Sequence, residues 1–232
     1  MSINKVLNIL GGIPRDLWLS YISNLTGPVG FILRYHFWKK KLGHLGRNTR
    51  IDIGVCFQNP HMIHIGDNCW IDRGVMLLAG LDNSSREKIV RHIADFPGKP
   101  GEVYIGNNIH LGAGCIISGI SQGVYISDNC GLSAGCRIYS FVNHYKSSRN
   151  PANHDIYFTP MVSHDYQCII EGPVFIGANT GLALNAIILP GTRIGCDSFI
   201  AINSMVIGGT FDENILIAGC PAKIRGFRYP NK

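Results

Sequence analysis

The sequence predicts a mainly β chain folded as a parallel β-helix of hexapeptide repeats, with a helical segment before it and a long loop protruding from it. Three observations carry that prediction. Aliphatic side chains recur every six positions, as Ile65, Ile71, Leu77, then Ile105, Leu111, Ile117, then Ile126, Leu132, Ile138, and without a break through Ile176, Leu182, Ile188, Ile194, Ile200 and Val206. Four residues after the aliphatic stands, in most repeats, a small or β-branched side chain: Cys69, Val75, Cys115, Cys130, Cys136, Val142, Thr180, Ala186, Thr192, Ser198, Ser204. Between the two lie residues that tolerate turn backbone, as in Ile65-Gly66-Asp67-Asn68 and Leu189-Pro190-Gly191.

The physical logic is a prism. A short strand points one large aliphatic inward, a tight turn admits only a small inward group, and three such sides close one coil. Stacked coils pair main chain with main chain in parallel, so stability accumulates coil by coil and the ends need covers. At 232 residues with 46% hydrophobic and 16% charged content, the chain has ample material for such a core.

Residues 1–48 read as a helical, basic segment that supplies the first cover. Pro14 opens a helical pattern with Leu17, Trp18, Tyr21, Ile22 and Leu25 on one face, and Gly27-Pro28 closes it. A second helix follows with an apolar stripe of Phe31, Tyr35, Trp38 and Leu42, leaving Lys39, Lys40 and Lys41 outward, and Gly43 and Gly46 mark its exit. Residues 1–50 carry a net charge of +7 against −1 for everything after, so this segment is a candidate for peripheral contact with anionic lipid or an acidic polysaccharide, as well as for a plain solvated cap. Its longest uncharged stretch, 17–33, is broken by Ser, Asn, Thr, Gly and Pro, which argues against a membrane span, and no cleavable signal stands out.

The repeat domain runs over 49–225, followed by a tail at 226–232. Two insertions interrupt it, at about 80–102 and 145–173. The first reads as a surface loop with Asp82-Asn83, a short helical stretch around Arg86 to Ile93, and Pro97-Gly98-Lys99-Pro100. The second excursion opens with Phe141-Val142-Asn143-His144-Tyr145 and runs past Pro151, His154, Pro160 and His164 to Pro173, polar, aromatic and rich in histidine. Such excursions from a rigid scaffold are where function concentrates. The eight cysteines include no Cys-x-x-Cys pair, so the expectation is reduced thiols packed inside the repeats and a cytoplasmic chain, at or near the inner face of the membrane.

Residues 51–225 resemble the hexapeptide-repeat (left-handed β-helix) acyltransferases, in particular the branch that O-acetylates sugars and polysaccharides. The carriers are the uninterrupted repeats from Ile176, the Ile188-Leu189-Pro190-Gly191 turn, Ser204-Met205-Val206 and the closing Gly219-Cys220-Pro221-Ala222-Lys223-Ile224. The left hand of the helix is what the resemblance implies, since a six-residue period has no handedness. The resemblance also implies a homotrimer with sites at the seams, acetyl-CoA as co-substrate and no metal. It puts a general base at His144, the histidine at the mouth of the long loop. It implies cofactor contacts at Ala183, Leu184, Ile202, Lys223 and Arg225, with Lys223 on a ribose phosphate. Asn143, His154 and His164 are the candidate acceptor contacts. An imidazole suits the task, because a hydroxyl is a weak nucleophile near neutral pH and a base titrating nearby takes its proton as attack begins. Main-chain N–H groups of the wall are expected to steady the oxyanion.

Two departures separate the chain from the galactoside and maltose acetyltransferases: Gly181 stands where they carry a tryptophan, and Gly112-Ala113-Gly114-Cys115 has no asparagine to match theirs. Other readings stay open: a non-catalytic trimeric scaffold, or an N-acetyltransferase acting on a nucleotide-linked amino sugar. A γ-class carbonic anhydrase is disfavoured, because His110, His144 and His164 do not reproduce its metal-binding spacing. No nucleic-acid partner is expected.

Overall fold

The computed structural model describes residues 17–150 and 152–230, so the helix-opening Pro14, the charged Lys5, Arg15 and Asp16, and Pro151 of the long loop lie outside the described residues. The fold is a left-handed parallel β-helix. Among the described residues its first face stacks seven strands from His44–Leu45 to Gly209–Phe211, its second face runs from Arg50–Ile51 to Ile215–Gly219, and its third from Cys56–Gln58 to Met205–Val206. Pairing between coils is parallel and in register, for example Ile65 with Ile105, Leu132 with Leu182 and Ile138 with Ile188. The prism therefore begins at His44, whose strand already pairs with His64 and Ile65.

Every repeat aliphatic from Ile65 to Val206 named above is buried, and so are Cys69, Val75, Cys115, Cys130, Cys136, Thr180, Ala186, Thr192, Ser198 and Ser204 beside them. Val142 is the exception. It is half-buried and belongs to a strand that has left the prism, because the register ends at Tyr139.

The corner between the first and second faces explains the recurring asparagine. Asn48, Asn68, Asn108 and Asn129 take φ of 55° to 60°, which asparagine tolerates better than most residues. Their amides then bond in a ladder, Asn48 to Asn68 at 2.9 Å, Asn68 to Asn108 at 3.2 Å and Asn108 to Asn129 at 2.9 Å.

Two helices cover the start of the prism, α1, helical over 17–24, and α2, Gly27–Lys39. Ile22, Trp38 and Leu42 are buried there, with Phe31 and Tyr35 half-buried, and Lys39, Lys40 and Lys41 exposed. The expected apolar face of α1 is not the packed one, since Leu17, Trp18 and Tyr21 are exposed and only Ile22 is fully covered. Arg34 takes the covered place instead: 1% exposed, it donates from Nε to the Ile51 carbonyl at 2.7 Å and from Nη1 to the carbonyls of Ile22 at 2.9 Å and Leu25 at 2.6 Å. The guanidinium thereby ties both helices to the first coil. The far end is closed by Ala222–Phe227, which folds back antiparallel on Ile215–Gly219.

Both insertions leave at the corner between the third and first faces, and they meet. Residues 87–90 do not form the expected helical turn but a strand, Glu87–Val90, which pairs in parallel with Cys168–Glu171. That strand pairs on its other edge, antiparallel, with Phe141–His144. Ile89 and Val90 are β-branched, and an available sheet edge settles so short a segment in favour of strand. The base of this small sheet is fastened by Glu171, whose buried carboxylate accepts from Ser121 and, at 3.0 Å, from Gln122 on the intervening coil, while Lys88 lies 3.6 Å from it.

Candidate active site

His144 ends the Phe141–His144 strand, opposite Cys168. Its Nδ1 lies 3.1 Å from the Lys146 carbonyl oxygen, which only accepts, so Nδ1 carries the proton and Nε2 presents its lone pair. The Lys146 amide is farther, at 3.4 Å from the same nitrogen. The ring stacks on Tyr145 at 4.7 Å between centroids. Partial burial lowers the His144 pKa from its ordinary value, the Lys146 ammonium adds to this, and Glu87 opposes it. The lowered pKa favours the neutral ring, and the Lys146 carbonyl favours the tautomer that a base acting through Nε2 needs.

The segment after the histidine is held by Glu87 of the first insertion. One carboxylate oxygen accepts from Ser148 N at 2.7 Å, Ser148 Oγ at 2.6 Å and Arg149 N at 3.0 Å, and the other from Ser147 Oγ at 2.7 Å. Burial opposes ionisation of Glu87, but the Ser148 and Ser147 hydroxyls and the Arg149 and Ser148 amides outweigh it and hold the pKa at about 2. The contact is therefore stabilising above the ordinary carboxylate range and is lost as pH falls toward 2. Sequence reading passed over Glu87, which sits 57 positions before the histidine with nothing local to link them.

Asn143 pairs with Ile169 in the same small sheet. His154 and His164 are both exposed in the outer loop, His164 starting a short turn, His164–Tyr166, and no hydrogen bond, ion pair or ring contact joins either to His144 among the described residues. Around them Tyr145, Tyr157, Phe158, Met161 and Tyr166 expose large apolar surfaces, a rim suited to a partner or acceptor.

The other candidate residues gather on a different edge, between the second and third faces at the C-terminal end. Asn203 N donates to the Leu184 carbonyl at 2.9 Å, which stacks Ile202 one coil beyond Leu184, with Ala183 alongside, and both Leu184 and Ile202 are exposed. Lys223 pairs with Ala218 on the closing strand, and Arg225 Nε reaches the Ala218 carbonyl at 3.4 Å. Both cations are exposed. This edge and the His144 corner flank the same third face.

The second face carries a groove of about 430 Å³ that sequence reading did not find, with Gly131 and Gly181 side by side on its floor. His110 lines it, with Nε2 3.0 Å from an Asp72 carboxylate oxygen. Gly181 has a local reason: a Cβ there would come within 2.9 Å of the Phe199 ring, which leans over it from the next coil. Phe199 thus supplies aromatic surface beside Gly181.

All eight cysteines are free thiols, and Cys69, Cys115, Cys130, Cys136 and Cys168 are buried. Burial pushes Cys130 up to about 11 and raises Cys69, so these thiols are poor nucleophiles. Among the described residues no cluster of three or more His, Cys, Asp or Glu side chains is placed to hold a metal ion.

No family model matches the chain. WbbJ of Escherichia coli K12, assigned to lipopolysaccharide biosynthesis as an O-acetyl transferase, is 39% identical over 66 residues, which span 28% of this chain and 33% of WbbJ. AntD, an N-acyltransferase from Bacillus cereus solved with dTDP and 3-hydroxybutyryl-CoA, superposes with a TM-score of 0.66 at 19% identity, covering 84% of this chain and 88% of AntD. The hexapeptide-repeat acetyltransferase VCA0836 of Vibrio cholerae, solved with acetyl-CoA, superposes with a TM-score of 0.51 at 18% identity over 89% of this chain and 81% of its own. Repeat, prism and likeness together place the chain among the hexapeptide-repeat, left-handed β-helix proteins, the fold of these acyltransferases.

Proposed function

We propose that the chain is an acyltransferase that moves an acetyl group from acetyl-CoA to a hydroxyl of a sugar or polysaccharide precursor, with His144 as general base. The observation that carries this reading is the His144 imidazole at the end of its strand, with Nδ1 3.1 Å from the Lys146 carbonyl oxygen and a pKa lowered by partial burial and by Lys146. A hydroxyl needs such a base. The likeness to WbbJ supports an oxygen acceptor over the nitrogen acceptor of AntD.

The residues at the C-terminal edge fit the acyl donor. Exposed Leu184 and Ile202 offer apolar surface to a pantetheine arm, and Lys223 and Arg225 offer cations to its phosphates. Acetyl-CoA supplies the activated acyl thioester. His144 takes the acceptor proton at Nε2, and Asn143, His154 and His164 stand in or beside the loop that would face the acceptor. Because the His144 corner and the Lys223 edge flank one face, a donor lying along that face between neighbouring copies meets both, and this supports a homotrimer.

Calorimetric titration with acetyl-CoA tests the assignment. Saturable binding is expected, weakened about tenfold by Lys223→Ala, a loss of the size of one charge-assisted contact, and kept in His144→Ala. Absence of binding at millimolar acetyl-CoA sinks the acyltransferase reading in favour of a scaffold.

The N-terminal cover supports contact with an anionic bilayer surface. Leu17, Trp18, Tyr21, Val29 and Ile32 are exposed, Trp18 and Tyr21 stack at 5.8 Å, and Lys39 to Lys41 lie at the end of α2. Among the described residues no helix is long and apolar enough to cross a membrane. The protein is expected to sediment with phosphatidylglycerol-containing vesicles and not with neutral ones, and the double change Trp18→Ser, Tyr21→Ser is expected to abolish this. Recovery with neither vesicle type argues for a plain cap.

A further inference from the structure

We propose that Glu87, on the first insertion, is the positioning residue of the His144 base, holding the 147–149 turn and, through it, the Lys146 carbonyl that sets the imidazole tautomer. The inference rests on the reading of His144 as the base. Three observations support it.

First, Glu87, Cys168 and His144 stand on one line across the small three-stranded sheet, Glu87 opposite Cys168 and Cys168 opposite His144. Side chains on one such line project from the same face, with the outer strands about 10 Å apart. Second, the carboxylate accepts four hydrogen bonds, all from Ser147, Ser148 and Arg149, the residues that follow the Lys146 carbonyl. Ser147 is buried, and its Oγ accepts in turn from Asn150 N at 2.9 Å, so the turn has few other ways to settle. Third, the Glu87 strand is itself anchored. Lys88 reaches the Asp82 carbonyl at 2.8 Å, Arg91 N donates to the Glu171 carbonyl at 2.7 Å, and the Arg91 guanidinium bonds the carbonyls of Pro190 and Ile207 on later coils. The strand is thus tied within its own insertion at one end and to the later coils of the prism at the other. The carboxylate stays ionised wherever the imidazole is neutral, because its pKa is held near 2. Its charge also opposes the lowering of the His144 pKa.

The decisive experiment is ¹⁵N NMR of histidine-labelled protein, reading tautomer and titration of His144 in the wild type, Glu87→Gln and Glu87→Ala, alongside kcat and acetyl-CoA affinity. The wild type is expected to show Nδ1–H with an unprotonated Nε2. Glu87→Ala is expected to mix the tautomers, to shift the titration, and to lower kcat about 10²-fold with acetyl-CoA affinity kept, a loss typical of a misplaced catalytic group. Glu87→Gln, which retains one accepting oxygen, is expected to fall between and carries the test if Glu87→Ala does not fold. An unchanged tautomer and titration in a folded Glu87 variant overturns the proposal. Full activity in His144→Ala overturns instead the base assignment, and the NMR result separates the two failures.

Discussion

His144→Ala is expected to lower kcat by about 10²–10⁴-fold, the usual contribution of a positioned general base, while acetyl-CoA binding stays within a factor of a few. The separation follows from place. His144 stands at the corner of the third and first faces, and Leu184, Ile202, Lys223 and Arg225 stand at the other edge of the third face. The pH profile supplies a second readout. Burial and Lys146 lower the imidazole pKa, so the neutral, basic form persists to lower pH than for a free histidine. In the wild type the acid limb of kcat/KM is therefore expected below the ordinary imidazole value of about 6.5, and His144→Ala is expected to lose that limb. A variant with the same profile at the same rate would show that the proton goes elsewhere, and His110, paired with Asp72 over the second-face groove, would be the next group to test.

Arg34→Met is expected to give the largest loss of stability of any single change in the N-terminal cover, about 3 kcal/mol or more. The guanidinium serves three carbonyls, those of Ile22, Leu25 and Ile51, and its side chain is buried. Methionine matches the stem but leaves those acceptors unpaired, and each buried unpaired group costs about 1–3 kcal/mol. Nη2 already lacks a partner among the described residues, so the site tolerates little rearrangement. Gly30 completes it, since a Cβ there would collide with the Leu25 carbonyl. Hydrogen exchange is the measurement of choice. Peptides from 17–39 should lose protection while those from the prism core around Ile117 and Ile138 keep theirs, because coils depend on their neighbours and not on distant ones. Unchanged protection of 17–39 would mean that packing of Ile22 and Trp38 alone holds the helices.

Where the sequence served well, it did so through a local rule repeated many times. Each inward aliphatic was readable from the six-residue spacing, because one residue per strand must fill the prism, and each turn asparagine from its tolerance of positive φ. That rule failed where partners lie far apart along the chain. Residues 86–93 carry no strand signal strong enough to read alone, and only the Cys168–Glu171 edge, some 80 positions later, makes Glu87–Val90 a strand. The sequence carried no sign of the three carbonyls that Arg34 serves, and α1 seemed to bury the face that it exposes.

The sequence by itself determined the prism, its period and its core, because these follow from side-chain size and turn chemistry within six residues. Only the tertiary structure decided that the two excursions form one sheet, that Glu87 grips the turn after His144, that Arg34 rivets the helices, and that Phe199 leans over Gly181. Those are pairings between residues 9 to 81 positions apart. Such pairings are set by how the coils stack and close, and a local pattern carries no record of them.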